Sequence, residues 1–154
     1  MPLQPFKLER YFAKYEFSVK YLLCASDCEA MSIANLLALE PNATEKFTQT
    51  WLGYTESAGA PTLRQAIAGL YTTIHADDVL VHSGAEEAIF WFMHAVLQPG
   101  DHLIAHWPCY QSHIEVARSI GAEITQWVAH EERGWALDLD ELRRAIRPNT
   151  RAIV

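Results

Sequence analysis

Two phosphate-binding signatures are missing from this sequence. No G-x-G-x-x-G follows a predicted strand, and no G-x-x-x-x-G-K-[ST] occurs. The first absence removes the dinucleotide fingerprint and the second a P-loop, so a nucleotide-binding α/β module is disfavoured. Basic charge is scarce, with 12 Lys and Arg against 19 Asp and Glu and a formal charge of −7. No basic face is available to release counterions, so no nucleic-acid partner is expected. No apolar run approaches a membrane span, and no basic-then-apolar leader opens the chain. The expectation is a cytoplasmic protein with no membrane partner. Cysteine is limited to Cys24, Cys28 and Cys109. No Cys or His pair follows Cys28 at finger spacing, so the odd set reads as reduced thiols. His102 and His106 share one face of a predicted strand, but no third ligand completes a metal set, and no metal is expected.

What is present is an ordinary globular composition. Of 154 residues, 50% are hydrophobic and 20% charged, about one domain on the usual size range. The most informative stretch runs from Val79 to Ile89. Val79-Leu80-Val81 reads as a short buried strand, His82-Ser83-Gly84-Ala85 as a tight turn, and Glu86 onward as a helix. A strand feeding a helix through small residues leaves backbone N–H groups unpaired at the positive end of the helix dipole. Such a turn accepts an anion, most often a phosphate. Gly84 and Ala85 are small enough for close approach. Glu86 and Glu87 suit the dipole but would repel a phosphate if their carboxylates faced it, so they are expected to point away.

The rest of the chain frames that turn. Leu8, Tyr11, Phe12 and Tyr15 recur at helical spacing in an aromatic-rich N-terminal arm. That arm packs either on its own domain or across a partner subunit. Ser32 caps a helix through Leu39 that stops before Pro41, and a short helix follows within 41–52. Gly53 to Ala60 form a small-residue loop with one phenol, Tyr54. Pro61 opens a helix carrying Leu63, Ile67, Leu70, Tyr71 and Ile74. The helix over 86–97 is apolar nearly all round and is expected to be buried on most sides. Strands follow at 102–107, 123–128 and 152–154, separated by helices that end at the Gly121 cap and begin at Asp138. This alternation predicts a three-layer αβα fold with a mainly parallel sheet, whose ligands bind at the carboxyl ends of the strands. The Ser83–Glu86 and Trp107–Tyr110 turns both fall there, which suggests a phosphorylated, flat, aromatic ligand. The chain stops inside a predicted strand, so it reads as the first part of a larger domain.

These motifs, taken in order, resemble the pyridoxal-phosphate-dependent class I/II aminotransferases of fold type I. Tyr54 with Gly59, Leu63 and Arg64 resembles that family's Y-x-x-x-x-G-x-x-x-L-R segment. Ser83-Gly84-Ala85-Glu86-Glu87 resembles its phosphate turn, Pro99-Gly100-Asp101 its P-G-D turn, and Pro108-Cys109-Tyr110 its P-x-[YW]. Glu141 to Val154 resembles the segment before its N-P-x-N-P-T-G motif.

The resemblance implies pyridoxal 5'-phosphate (PLP) as cofactor, amino acid and 2-oxo acid substrates, and a homodimer in the full-length protein. It implies that Tyr54 hydrogen-bonds the phosphate across the dimer interface. Gly84, Ala85 and Glu86 would hold the phosphate, Ala85 and Glu86 by their backbone N–H groups, and Tyr110 would stack on the pyridine. Glu86 departs from the small or hydroxylic residues usual there, so only its backbone role carries over. Residues 1–52 would be an N-terminal arm and small-domain segment, and 53–154 the first part of the PLP-binding large domain. Lys7, Lys14, Lys20 and Lys46 all precede the phosphate turn, whereas the family's cofactor-binding lysine follows it. The isolated chain is therefore expected to be inactive. A lyase or decarboxylase of the same fold, or a non-catalytic fragment of it, are the alternatives.

Overall fold

The structure is a computed structural model that describes residues 3–154; Met1 and Pro2 lie outside the described residues. The chain divides into two compact units. One is Val19–Val81, and the other joins Met1–Ser18 to His82–Val154.

In the Val19–Val81 unit the helix-start signals act as written. The Ser32 hydroxyl accepts the Asn35 N–H at 3.1 Å and starts a helix at Ile33–Leu37. A second short helix spans Ala43–Thr48, and a third, Pro61–Ala68, has its proline in the first turn. This third helix is six residues shorter than its apolar periodicity predicts. Gly69 follows it, and the N–H groups of Leu70 and Tyr71 turn back to Ile67 and Ala68 in tighter turns. Arg64 knits the unit together. Its guanidinium donates to the Gly59 carbonyl at 3.2 Å and the Ala76 carbonyl at 2.9 Å. Gly59 has φ +108°, and a Cβ there would collide with Val81, so the close approach requires glycine. Residues 79–81 do not form the predicted strand. Val79 is extended, but the Val81 N–H goes to Ala58 rather than to a ladder, and an extended segment without a partner strand is not a strand.

The other unit carries the sheet. Numbering its elements in chain order, α1 is Lys7–Tyr15, α2 Ala85–Val96, β1 His102–Trp107, α3 Gln111–Ile120, β2 Glu123–Val128, α4 Leu139–Ala145 and β3 Thr150–Ile153. The strands run parallel in the order β2-β1-β3, three strands among the described residues instead of the four predicted. Alternation along β1 sorts the two faces. Leu103 and Ala105 meet Met93 of α2, Leu97 just after it, and Ile114 and Ala117 of α3 in one core. Fully burying a side chain such as Met93 or Leu103 contributes about 1.5–3 kcal/mol. On the other face Trp127 donates its indole N–H to the Asp138 carbonyl at 2.8 Å, which seats α4. The Asp138 carboxylate caps α4 by accepting the N–H groups of Asp140 and Glu141. Helices on both faces of a parallel sheet make the αβα arrangement.

The expectation for α2 needs correcting. Met93 is buried, but Trp91 is 56% and Phe92 50% exposed. Packing against α3 uses one face only, and an apolar hollow of about 240 Å³ lined by Ala88, Ile89, Phe92, Met93, His113 and Val154 lies beside it.

His102, the first residue of β1, is wholly buried. Its Nδ1 lies 2.7 Å from Thr150 Oγ1 on β3 and its Nε2 2.8 Å from Thr125 Oγ1 on β2. A neutral imidazole has one donor and one acceptor, and hydroxyls serve either. Both nitrogens are thus spent on cross-strand bonds. Burial pushes the His102 pKa down and the nearby Arg147 guanidinium lowers it further, while Glu123 opposes them. Unfolded, the imidazole takes a proton as pH falls through about 6.5; folded, it does so only at lower pH. This contribution to stability is therefore full above about 6.5 and is lost as pH falls from there toward the folded pKa. Urea midpoints between pH 7.5 and 5 should fall more steeply in the parent than in His102→Gln; equal slopes would contradict the bridge.

Candidate functional site

The turn ahead of α2 presents backbone N–H groups at a helix start. Gly84 is the residue before the first helical turn, with φ +103°. Ala85, Glu86 and Glu87 supply first-turn N–H groups with no intrahelical acceptor. Ala88 is the first N–H of the helix to reach a carbonyl, that of Gly84 at 3.4 Å. Apart from its chain neighbours, no atom lies within 4 Å of the place a Gly84 Cβ would take, so space is free beside the turn. Open amides at a positive helix end fit a phosphate.

The acidic pair is engaged by the protein itself. Glu86 Oε1 accepts the Ser112 hydroxyl of α3 at 3.0 Å. Glu87 folds back onto the turn, where Oε2 accepts the Ser83 N–H at 2.5 Å and lies 3.9 Å from His82 Nδ1. One of the turn's donors is thus taken by a carboxylate from within the chain, against the expectation that both would point away.

Tyr110 stands at the carboxyl end of β1, after a cis Trp107–Pro108 peptide and immediately before α3. It is 38% exposed, and the N-terminal arm packs on it. The Phe6 ring lies 4.9 Å from the Tyr110 ring, tilted by 54°. The Tyr110 hydroxyl donates to Glu9 Oε1 at 3.4 Å. Gln111 clamps the arm's backbone, donating to the Pro5 carbonyl at 3.0 Å and accepting the Lys7 N–H at 2.9 Å. Within the chain, the arm packs on its own unit. Arm, Tyr110, Trp107 and α3 line a half-open cavity of about 630 Å³. Gly84, Ala85 and Glu86 do not line it; their link to the Tyr110 segment is the Glu86–Ser112 bond. Tyr54 belongs to the Val19–Val81 unit and its ring is fully exposed. Cys109 is partly buried, and desolvation pushes its thiol pKa up, which disfavours a nucleophilic thiolate.

Sequence reasoning did not single out Ser112 or Gln111. Ser112 leaves a trace: it is a hydroxyl on the helix that buries Ile114, Val116 and Ala117, and a buried hydroxyl needs a partner. Gln111 leaves none, because its partners are more than a hundred residues away.

A parallel αβα sheet with a glycine turn and an aromatic ring at neighbouring helix starts belongs to the class of α/β proteins whose ligands bind beside the carboxyl ends of the strands. The family follows from the comparisons. The model of aminotransferase class I and II matches residues 19–154, and the chain belongs to that family. It is 32% identical over 106 residues to the aspartate/prephenate aminotransferase of Thermus thermophilus, covering 66% of this chain and 28% of that protein. It is 31% identical to capreomycidine synthase of Streptomyces vinaceus, covering 99% of this chain and 39% of that one. A solved PLP-dependent aminotransferase from Streptococcus suis superposes with a TM-score of 0.89 at 32% identity, covering 99% of this chain and 42% of that one. The chain therefore spans less than half the length of these relatives.

Gly84→Ala should destabilise the fold by about 1–3 kcal/mol although space is free, because an alanine cannot adopt the turn's positive φ without strain. Urea denaturation reads this directly; an unchanged midpoint would mean that the turn has another backbone conformation.

Proposed function

We propose that this chain is the N-terminal portion of a PLP-dependent aminotransferase that moves an amino group from an amino acid to a 2-oxo acid. The observation that carries the reading is the open turn at Gly84–Glu86, tied through Glu86 and Ser112 to the helix that Tyr110 precedes. Family membership over residues 19–154 supports it. The N–H groups of Ala85 and Glu86 bind the cofactor phosphate, with Gly84 giving access. Tyr110 lies against the pyridine and limits its tilt. Tyr54 donates its hydroxyl proton to a phosphate oxygen of the partner subunit's cofactor, a reach favoured by its full exposure. PLP, when bound, supplies the electron sink for the substrate's α-carbon. These residues orient it and balance its phosphate charge.

Residues 1–52 form the arm and a small-domain segment, and 53–154 begin the PLP-binding domain. The full-length protein works as a homodimer in the cytoplasm. Three unbridged cysteines fit a reducing compartment, and no helix among the described residues is long and apolar enough to cross a membrane. The 154-residue chain alone is inactive, because its lysines all lie before the turn.

In the full-length enzyme, Tyr54→Phe should weaken PLP retention by about 1–3 kcal/mol, the range for a hydrogen bond to a charged group. Equilibrium dialysis measures it, and turnover of 2-oxoglutarate with product analysis checks the reaction class. Unchanged retention would remove Tyr54 from the site, and carbon dioxide or ammonia released without a new amino acid would replace the transaminase reading with a lyase.

A further inference from the structure

The turn holds an electrostatic contradiction. Glu86 offers its backbone N–H to a phosphate while carrying a carboxylate on the same residue. A like charge within a few ångströms of the phosphate opposes binding unless the carboxylate is held aside. One side chain holds it. Ser112 is 3% exposed on α3, and its hydroxyl donates to Glu86 Oε1 at 3.0 Å. The second acid of the turn has its own restraint, the Ser83 N–H and the neighbouring His82. Glu86 has no such local donor, and its restraint comes from another helix, 26 residues along the chain.

We infer that Ser112 is a positioning residue for cofactor binding: its hydroxyl tethers the Glu86 carboxylate to α3 and so keeps the Ala85–Glu86 amides available to a phosphate. The inference rests on the proposed PLP site. It goes beyond that site by giving a function to a serine that touches no ligand, and by explaining how a glutamate is tolerated in a phosphate turn. Without the tether the carboxylate samples rotamers facing the amides, competing for the donors and repelling the dianion. Geometry makes the tether length-dependent. An aspartate at position 86 keeps the charge but is one methylene too short to span to Ser112.

The test is equilibrium dialysis of the full-length apoenzyme against PLP and, separately, against pyridoxal, which lacks the phosphate. Ser112→Ala should weaken PLP binding about tenfold, the order expected for a partly screened like charge at close range, and leave pyridoxal binding unchanged. Glu86→Asp should weaken PLP binding in the same way with Ser112 intact. The double variant Ser112→Ala/Glu86→Gln should bind PLP like the parent, because the charge that needed restraint is gone. A merely structural serine would not be rescued by a change on another helix. The inference is overturned if Ser112→Ala binds PLP normally, if Glu86→Gln fails to restore binding, or if pyridoxal is weakened equally. A parent apoenzyme that binds no PLP would sink the aminotransferase reading itself, and this inference with it.

Discussion

A buried imidazole ties the centre of this sheet to both of its neighbours. His102 bonds Thr125 on β2 and Thr150 on β3, so the middle strand is joined to each flank by a side-chain bond besides the backbone ladder. Buried polar groups are favourable only when fully partnered, and here the partners extend further. Arg147 donates to Thr125 and pairs with Glu123, and its N–H donates to Thr150. The loop before β3, the start of β2 and the start of β1 are thus fixed together at the amino end of the sheet. With that end pinned and the strands parallel, their carboxyl ends emerge side by side.

What emerges there is the candidate site. β1 runs directly into Trp107–Tyr110, and the face of Leu103 and Ala105 seats α2 and α3 together. Packing α2 on α3 brings the N-terminal turn of one beside that of the other, where Ser112 meets Glu86. The site depends on this helix pair more than on any single motif. Gly84 permits the turn, the pair sets its place, and the arm, clamped by Gln111, covers Tyr110 from outside.

Elements set by local chemistry were readable in the sequence. The Ser32 and Asp138 caps, the Gly121 stop, the proline at the start of Pro61–Ala68 and all three strands of the sheet follow from residues within a few positions of each boundary. Features that depend on distant partners were not. Residues 79–81 have strand-like side chains but no neighbouring strand among the described residues, so pattern alone overstates them. The α2 sequence is apolar all round, but burial of its Trp91 and Phe92 face depends on what packs there, which periodicity does not encode. The glycine turn at Gly84 and the Pro108-Cys109-Tyr110 segment were recognisable as motifs. The Ser112 and Gln111 contacts were invisible because each joins elements far apart in sequence.

The central claim is that the turn before α2 presents backbone donors to a phosphate, and the carboxyl end of β1 a tyrosine face to its ring. A crystal structure of the full-length protein with PLP tests it most directly. The account predicts phosphate oxygens about 3 Å from the Ala85 and Glu86 nitrogens, with the pyridine lying against Tyr110. A phosphate held by other residues, or a ring remote from Tyr110, would contradict it.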